Sequence, residues 1–203
     1  MRRAVFELGP SGFPFEKLLG EIFKSKGYDV QVGVILSGQC VTHETDVVAR
    51  KGLETILVEA KFHNNQSFKT DVKVALAVHA RFLDLERAGF RDVSSPGGHC
   101  EPWLMTNTKF TEQAITFGHC VGITMVGWGY PQKGNVQDLI EEAGLHPVSC
   151  LTTLAQKEKD ALYQHGIVLC KNVIDNPNLL EQAGVSRKKV DKVVNEANRL
   201  CNL

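Results

Sequence analysis

Residues 52–64 read GLETILVEAKFHN, a stretch that begins as a buried strand and ends in charge. Side chains alternate faces along a strand, so Glu59 and Lys61 point one way while Ile56, Val58, Ala60 and Phe62 point the other. Buried charge is costly unless it is paired or used. The two residues are therefore either an ion pair on a wet face or half of an active site. The tripeptide alone decides nothing, because chance gives roughly one or two acidic-x-Lys matches in such a chain. The second match, Asp71-Val72-Lys73, lies in a helical pattern, where positions two apart do not face each other. Context has to separate the two readings.

Upstream, DVVARK (46–51) runs into this stretch as a second strand, with a tight turn around Lys51 and Gly52. A turn there sets Asp46 opposite Leu57 or Val58, which makes it a diagonal neighbour of Glu59. Such neighbours lie roughly 7–8 Å apart, a gap that two carboxylates close around a shared cation. At that distance one carboxylate must keep its proton unless a cation sits between them. A hard divalent ion with oxygen ligands and water meets the demand, magnesium above all.

Outward from the hairpin the elements are legible. FPFEKLLGEIFKSKGY reads as a helix, with Phe15, Leu18, Leu19, Ile22 and Phe23 on one face, Pro14 at its start and Gly27 past its end. YDVQVGVIL alternates as a strand. FKTDVKVALAVHARFLDLERAG reads as a long helix closed by Gly89, followed by a loop at SSPGGH. Then come strand PWLMTN, helix FTEQAITFGH and strand VGITMVGW. The order over residues 13–128 is α-β-β-β-α-β-α-β, which implies an α/β fold with a mixed sheet and helices on its faces. From about Asn135 only short helical patterns remain. The expectation is an α/β domain at 1–134 and a small all-helical domain at 135–203.

The 203 residues are 43% hydrophobic and 23% charged, a globular composition. Lys plus Arg equals Asp plus Glu at 23 each, so any nucleic-acid contact must come from local patches rather than from overall charge. No apolar run reaches the roughly 18 residues that span a bilayer. No signal-peptide segment follows Met1-Arg2-Arg3, and a cytoplasmic protein is expected. The cysteines Cys40, Cys100, Cys120, Cys150, Cys170 and Cys201 are dispersed and mostly beside apolar residues, as reduced thiols of a core would be. A zinc site from His99, Cys100, His119 and Cys120 is rejected, because adjacent residues rarely both reach one metal.

Glu16 lies one position off the apolar stripe of the first helix, on the same helical line as Gly20, from where it can reach the rim of the sheet. A solvent-facing Glu in a first helical turn explains it equally well. In order and spacing, FEKLLGEIFKSKGYDVQV, HETDVVARKG and ILVEAKFH resemble the Mrr-like branch of the PD-(D/E)XK restriction-endonuclease superfamily. The resemblance runs on through WLMTNTKFTEQAITFG and GITMVGW, and so covers residues 13–128. It implies a restriction-endonuclease-like fold and a magnesium-dependent deoxyribonuclease in which manganese substitutes. Asp46, Glu59 and Lys61 take the catalytic positions and Glu16 that of the accessory acid. Asp46, Glu59 and the carbonyl of Ala60 hold the metal, and Lys61 orients water. His63, Lys69 and Lys73 are candidate phosphate contacts, with a plain strand-end role for His63 as the alternative. The helix DVKVALAVHARFLDL departs from many members in lacking their Gln and Tyr.

In the C-terminal part, LLEQAGVSRKKVDKVVNEANRL pairs a short helix, a turn at Gly184, and a helix opening with Ser186, Arg187, Lys188 and Lys189. It resembles a helix-hairpin-helix unit, without the usual Gly-hydrophobic-Gly turn. Its amides and basic residues could grip phosphate, or the lysines could simply be solvated. The whole reads as a DNA endonuclease, dimeric because cutting both strands takes two sites. The alternatives are an inactive nuclease-fold DNA-binding or scaffold protein and a junction resolvase.

Overall fold

The computed structural model of the protein describes residues 1–8, 11–89 and 98–201. α1 (Arg2–Phe6) leads into α2 (Phe13–Ser25). The predicted stripe of α2 is buried throughout, from Phe15 at 0% to Phe23 at 3% exposure. Its end is a Schellman turn: Tyr28 N–H bonds the Phe23 carbonyl, Gly27 N–H bonds that of Lys24, and Gly27 takes φ +84°. Gly20 serves close approach. A Cβ there would stand 3.1 Å from Val32 Cγ2 on the next strand, so Gly20 seats the helix on the sheet and does not clear a path for Glu16.

β1 (Asp29–Ser37), β2 (Thr42–Lys51) and β3 (Glu54–Lys61) form an antiparallel meander. The hairpin turn differs from the expectation by one residue. Lys51 pairs with Glu54, the turn residues are Gly52 and Leu53, and Gly52 adopts φ +59°, which glycine takes without strain. Val47 therefore pairs with Val58, and Asp46 comes level with Glu59 instead of Leu57 or Val58.

β4 (Lys69–Thr70), α3 (Val72–Arg87), β5 (His99–Thr106), β6 (Lys109–Phe110), α4 (Glu112–Val121) and β7 (Thr124–Val126) complete the α/β part. Among the described residues the main sheet has the order β1-β2-β3-β5-β7, with β5 and β7 parallel to β3, and β4 pairs with β6 beside it. The predicted order of elements holds with the short β4 and β6 added; β2 and β5 begin earlier than expected, while α3 and β7 are shorter. α3 starts at Val72, not Phe68, because the Asp71 carboxylate accepts the amides of Lys73 and Val74. The expected loop at SSPGGH falls largely on residues 94–97, outside the described residues.

The C-terminal part contains α5 (Val136–Glu142), a 3-10 turn (Val148–Cys150), α6 (Gln156–Gln164), α7 (Cys170–Asp175), α8 (Asn178–Gln182) and α9 (Arg187–Cys201). One core runs across residue 135: Phe15, Leu18 and Ile22 of α2, Val47 and Val58 of the hairpin, and Val136, Ile140, Leu162 and Val193 belong to the same buried cluster. α2 is thus wedged between the sheet and the C-terminal helices. On the opposite face Val48 and Leu57 pack with Leu85 of α3, and Val78, Leu104, Ala114 and Met125 tie α3 and α4 to β5 and β7. The cysteines are less buried than expected: Cys170 is inside, while Cys40 and Cys120 are exposed. Among the described residues no helix is long and apolar enough to cross a membrane.

Candidate active site

Strand alternation sends Val47, Ala49, Ile56 and Val58 toward α2 and Val48 and Leu57 toward α3. Asp46, Glu59 and Lys61 are in phase with the second set. Beyond the Val47–Val58 pair, β2 stays with β1, matching Thr45 to Val34, while β3 stays with β5 as far as Lys61 and Thr106. A fork opens between β2 and β3. The Asp46 carboxylate bridges it, Oδ2 accepting the Ala60 amide at 2.6 Å in place of the next ladder bond.

Glu59 sits across the fork. Its Oε2 accepts from Arg81 Nη1 of α3 at 2.6 Å, with side-chain exposures of 24% for Glu59 and 45% for Arg81. Glu16 enters from α2 at the rim, where its Oε1 would be 3.2 Å from a Cβ built on Gly12. Burial pushes the Glu16 carboxyl up to about 7, aided by the charges of Asp46, Glu44 and Glu59. Burial also raises Asp46, with Glu44 adding to it, against the Ala60 amide and the charges of Arg81 and Lys61. Glu59 is raised by burial and by Asp46, while Arg81 and Lys61 oppose. Four carboxylates thus sense one another around two cations, and the excess negative charge favours a further cation.

Among the described residues no three His, Cys, Asp or Glu side chains converge as a ready metal cluster. At the fork one Asp46 oxygen is engaged by a backbone amide and one Glu59 oxygen by a guanidinium. What remains is two carboxylates flanking a peptide group. The N–H and C=O of one strand residue leave on the same side, so the Ala60 carbonyl faces the fork together with its amide. A hard cation that keeps several waters needs little more than such a donor set.

Lys61 is exposed, and the chain behind it is clamped. Thr106 Oγ1 donates to the Lys61 carbonyl at 2.8 Å. Asn107, fully buried, bonds both the amide and the carbonyl of His63, each at 2.8 Å. The His63 ring is half-buried with Nε2 3.1 Å from Thr70 Oγ1, so it is not a plain exposed strand end. Burial lowers its pKa, as does the Lys61 charge.

Lys69 and Lys73 are exposed near the start of α3, and Ser186, Arg187 and Lys188 are exposed at the start of α9. Two of the basic residues there are already paired within the helical region: the Lys189 amine with Glu158 at 2.5 Å, and more loosely Arg187 with Glu181 at 3.8 Å.

Arg81, Glu44, Thr106 and Asn107 were missed in the sequence. Glu44 shares the strand phase of Asp46. Arg81 borders the apolar positions Val78, Phe82 and Leu85, the same edge-of-stripe placement that singled out Glu16. Thr106 and Asn107 begin the polar triplet Thr-Asn-Thr, where an apolar parallel strand ends.

Comparison with known proteins adds a family setting. The restriction endonuclease family profile matches residues 10–126, and an AF1548-like C-terminal profile matches residues 146–201. An uncharacterized protein of Archaeoglobus fulgidus is 36% identical over 183 residues, spanning 90% of this chain and 99% of the relative. The crystal structure of AF1548, a protein of unknown function, superposes with a TM-score of 0.77 at 34% identity, covering 95% of this chain and 99% of that one. The MspJI restriction endonuclease in complex with a 27-mer oligonucleotide aligns at 15% identity and a TM-score of 0.37, over 59% of this chain and 26% of its own, too distant to bear on the site.

Proposed function

The chain belongs to the restriction endonuclease family with an AF1548-like C-terminal region, and from that premise we propose that it is a metal-dependent DNA endonuclease hydrolysing phosphodiester bonds. The observation that carries this reading is the fork. It sets Asp46 and Glu59 on either side of the Ala60 peptide, with Lys61 next along the strand.

In this reading Asp46, Glu59 and the Ala60 carbonyl hold magnesium, and manganese substitutes. Bound there, a divalent ion supplies Lewis-acid charge to a phosphate oxygen and acidifies a coordinated water. Lys61, exposed and fixed at its backbone by Thr106, orients the attacking water and offsets charge that grows on the phosphate. Glu16 is the accessory acid at the rim, and its raised pKa suits proton exchange near neutral pH. Lys69, Lys73, Arg187 and Lys188 meet backbone phosphates, which sets binding but not sequence choice. The Ser186 end of α9 and His63 are weaker contacts of the same kind. Cutting both strands takes two protomers. The exposed thiols of Cys40 and Cys120 suit a reducing compartment such as the cytoplasm.

One observation favours the second reading, a nuclease-fold protein that binds DNA without cutting it: one oxygen of each carboxylate is already engaged, by the Ala60 amide and by Arg81. Supercoiled plasmid incubated with magnesium separates the two. The nuclease nicks it, and activity disappears with EDTA, with Asp46→Asn and with Lys61→Ala. A wild-type protein that binds plain, methylated and branched DNA and cuts none of them establishes the binding reading. Cleavage confined to branched DNA makes it a junction resolvase.

A further inference from the structure

Arg81 has no part in the chemistry above, yet it makes the direct ion pair to Glu59, Nη1 to Oε2 at 2.6 Å. It rises from α3 between Val78 and Leu85, buried positions that fix the helix to the sheet. The base of the side chain is anchored, while the side chain as a whole is 45% exposed. Lys61, the other positive charge at the fork, makes no ion pair among the described residues.

We infer that Arg81 is the resident cation of the metal-free site, holding Glu59 until a divalent ion displaces the guanidinium, and that it thereby sets the threshold for cation loading. This rests on the carboxylate pair being the cation site proposed above. The two carboxylates are held differently. A neutral amide binds one oxygen of Asp46 and can remain in place when a cation arrives. A full positive charge binds Glu59, and a guanidinium and a divalent ion repel each other across the same carboxylate. The exposure of Arg81 provides the exit: the guanidinium can swing into water without leaving a buried charge unpaired. Glu59 meanwhile is kept ordered at the fork in the absence of metal.

Titration calorimetry of manganese into metal-free wild type, Arg81→Gln, Arg81→Lys and Asp46→Asn tests this without any cleavage readout. Exposed ion pairs are individually weak, so the expected gain is modest: Arg81→Gln binds manganese about three- to tenfold tighter than wild type. Arg81→Lys, which keeps the charge, stays closer to wild type, and Asp46→Asn loses the site. Arg81→Met gives the same comparison should the glutamine keep a hydrogen bond to Glu59. Equal or weaker binding by both neutral variants, with binding still lost in Asp46→Asn, overturns the role of Arg81 and leaves the metal site standing. Binding unaffected by Asp46→Asn, or no uptake by any variant, overturns the metal site and this role together.

Discussion

The Asp46 carboxylate accepts the amide hydrogen of Ala60 at 2.6 Å, at the residue between Glu59 and Lys61. One side chain thus closes the strand fork and offers a second oxygen to it. Replacement separates the two duties. Asparagine retains an acceptor for the amide and removes a half-buried charge whose pKa is raised by burial. Asp46→Asn is expected to melt no lower than wild type in metal-free buffer, while plasmid nicking falls at least about a hundredfold. Asp46→Ala loses activity equally and also strands the Ala60 amide, at a cost of about 1–3 kcal/mol in urea unfolding. Equal stabilities for the two variants would show that the amide bond contributes nothing.

Asn107 bonds both backbone groups of His63 from a fully buried position, and Thr106 bonds the carbonyl of Lys61. Neither side chain reaches the fork; they position the end of β3. Asn107→Ala leaves two half-buried backbone groups of His63 without this partner and should cost about 1–3 kcal/mol. Assayed well below its melting temperature, it should show a lower kcat for nicking with KM for DNA little changed, because the strand end carrying Lys61 is no longer held at His63. A drop in stability with kcat intact would make the clamp purely structural.

Glu16 gives the site a pH signature. Its carboxyl is pushed from 4.5 to about 7 by burial and by its acidic neighbours. Between those values the folded protein holds a proton that the unfolded chain releases. The stability tied to it is complete below pH 4.5 and is lost as pH rises through 7. Glu16→Gln cannot ionise, so its melting temperature relative to wild type should climb between pH 5 and pH 8 in metal-free buffer. An offset that stays constant over that range would mean that Glu16 titrates as an ordinary surface carboxylate.

Much of this was readable from residue order. The apolar stripe of α2 and the alternation in β1 to β3 marked the first helix and the meander and set Asp46, Glu59 and Lys61 of the candidate site on one face, because period and phase are local properties of the chain. The turn position was misjudged by one residue. Leu53 is apolar and half-exposed at a hairpin tip, and nothing in its composition marks it as a turn residue. Arg81 stayed hidden for a different reason: its contact with Glu59 spans 22 positions and depends on how α3 lies across the sheet. The short α1 and α7 are likewise set by packing, since isolated helices of five or six residues have no stability of their own.

The C-terminal helices provide the last test. By element type the chain divides near residue 135, but the buried cluster does not: Leu162 of α6 and Ile140 of α5, each 0% exposed, share it with Phe15 and Leu18 of α2. Both tryptophans, Trp103 and Trp128, precede residue 135, so tryptophan-selective emission originates in the α/β part. Leu162→Ala removes core volume at a cost of about 2–5 kcal/mol. If packing across residue 135 makes the chain one cooperative unit, the urea midpoint seen by fluorescence falls together with that seen by far-ultraviolet circular dichroism. A fluorescence midpoint that stays at the wild-type value, beside an earlier loss of helical signal, would show two units that unfold independently. The helical region would then be a separable attachment to the nuclease fold and not the support behind α2 that positions Glu16.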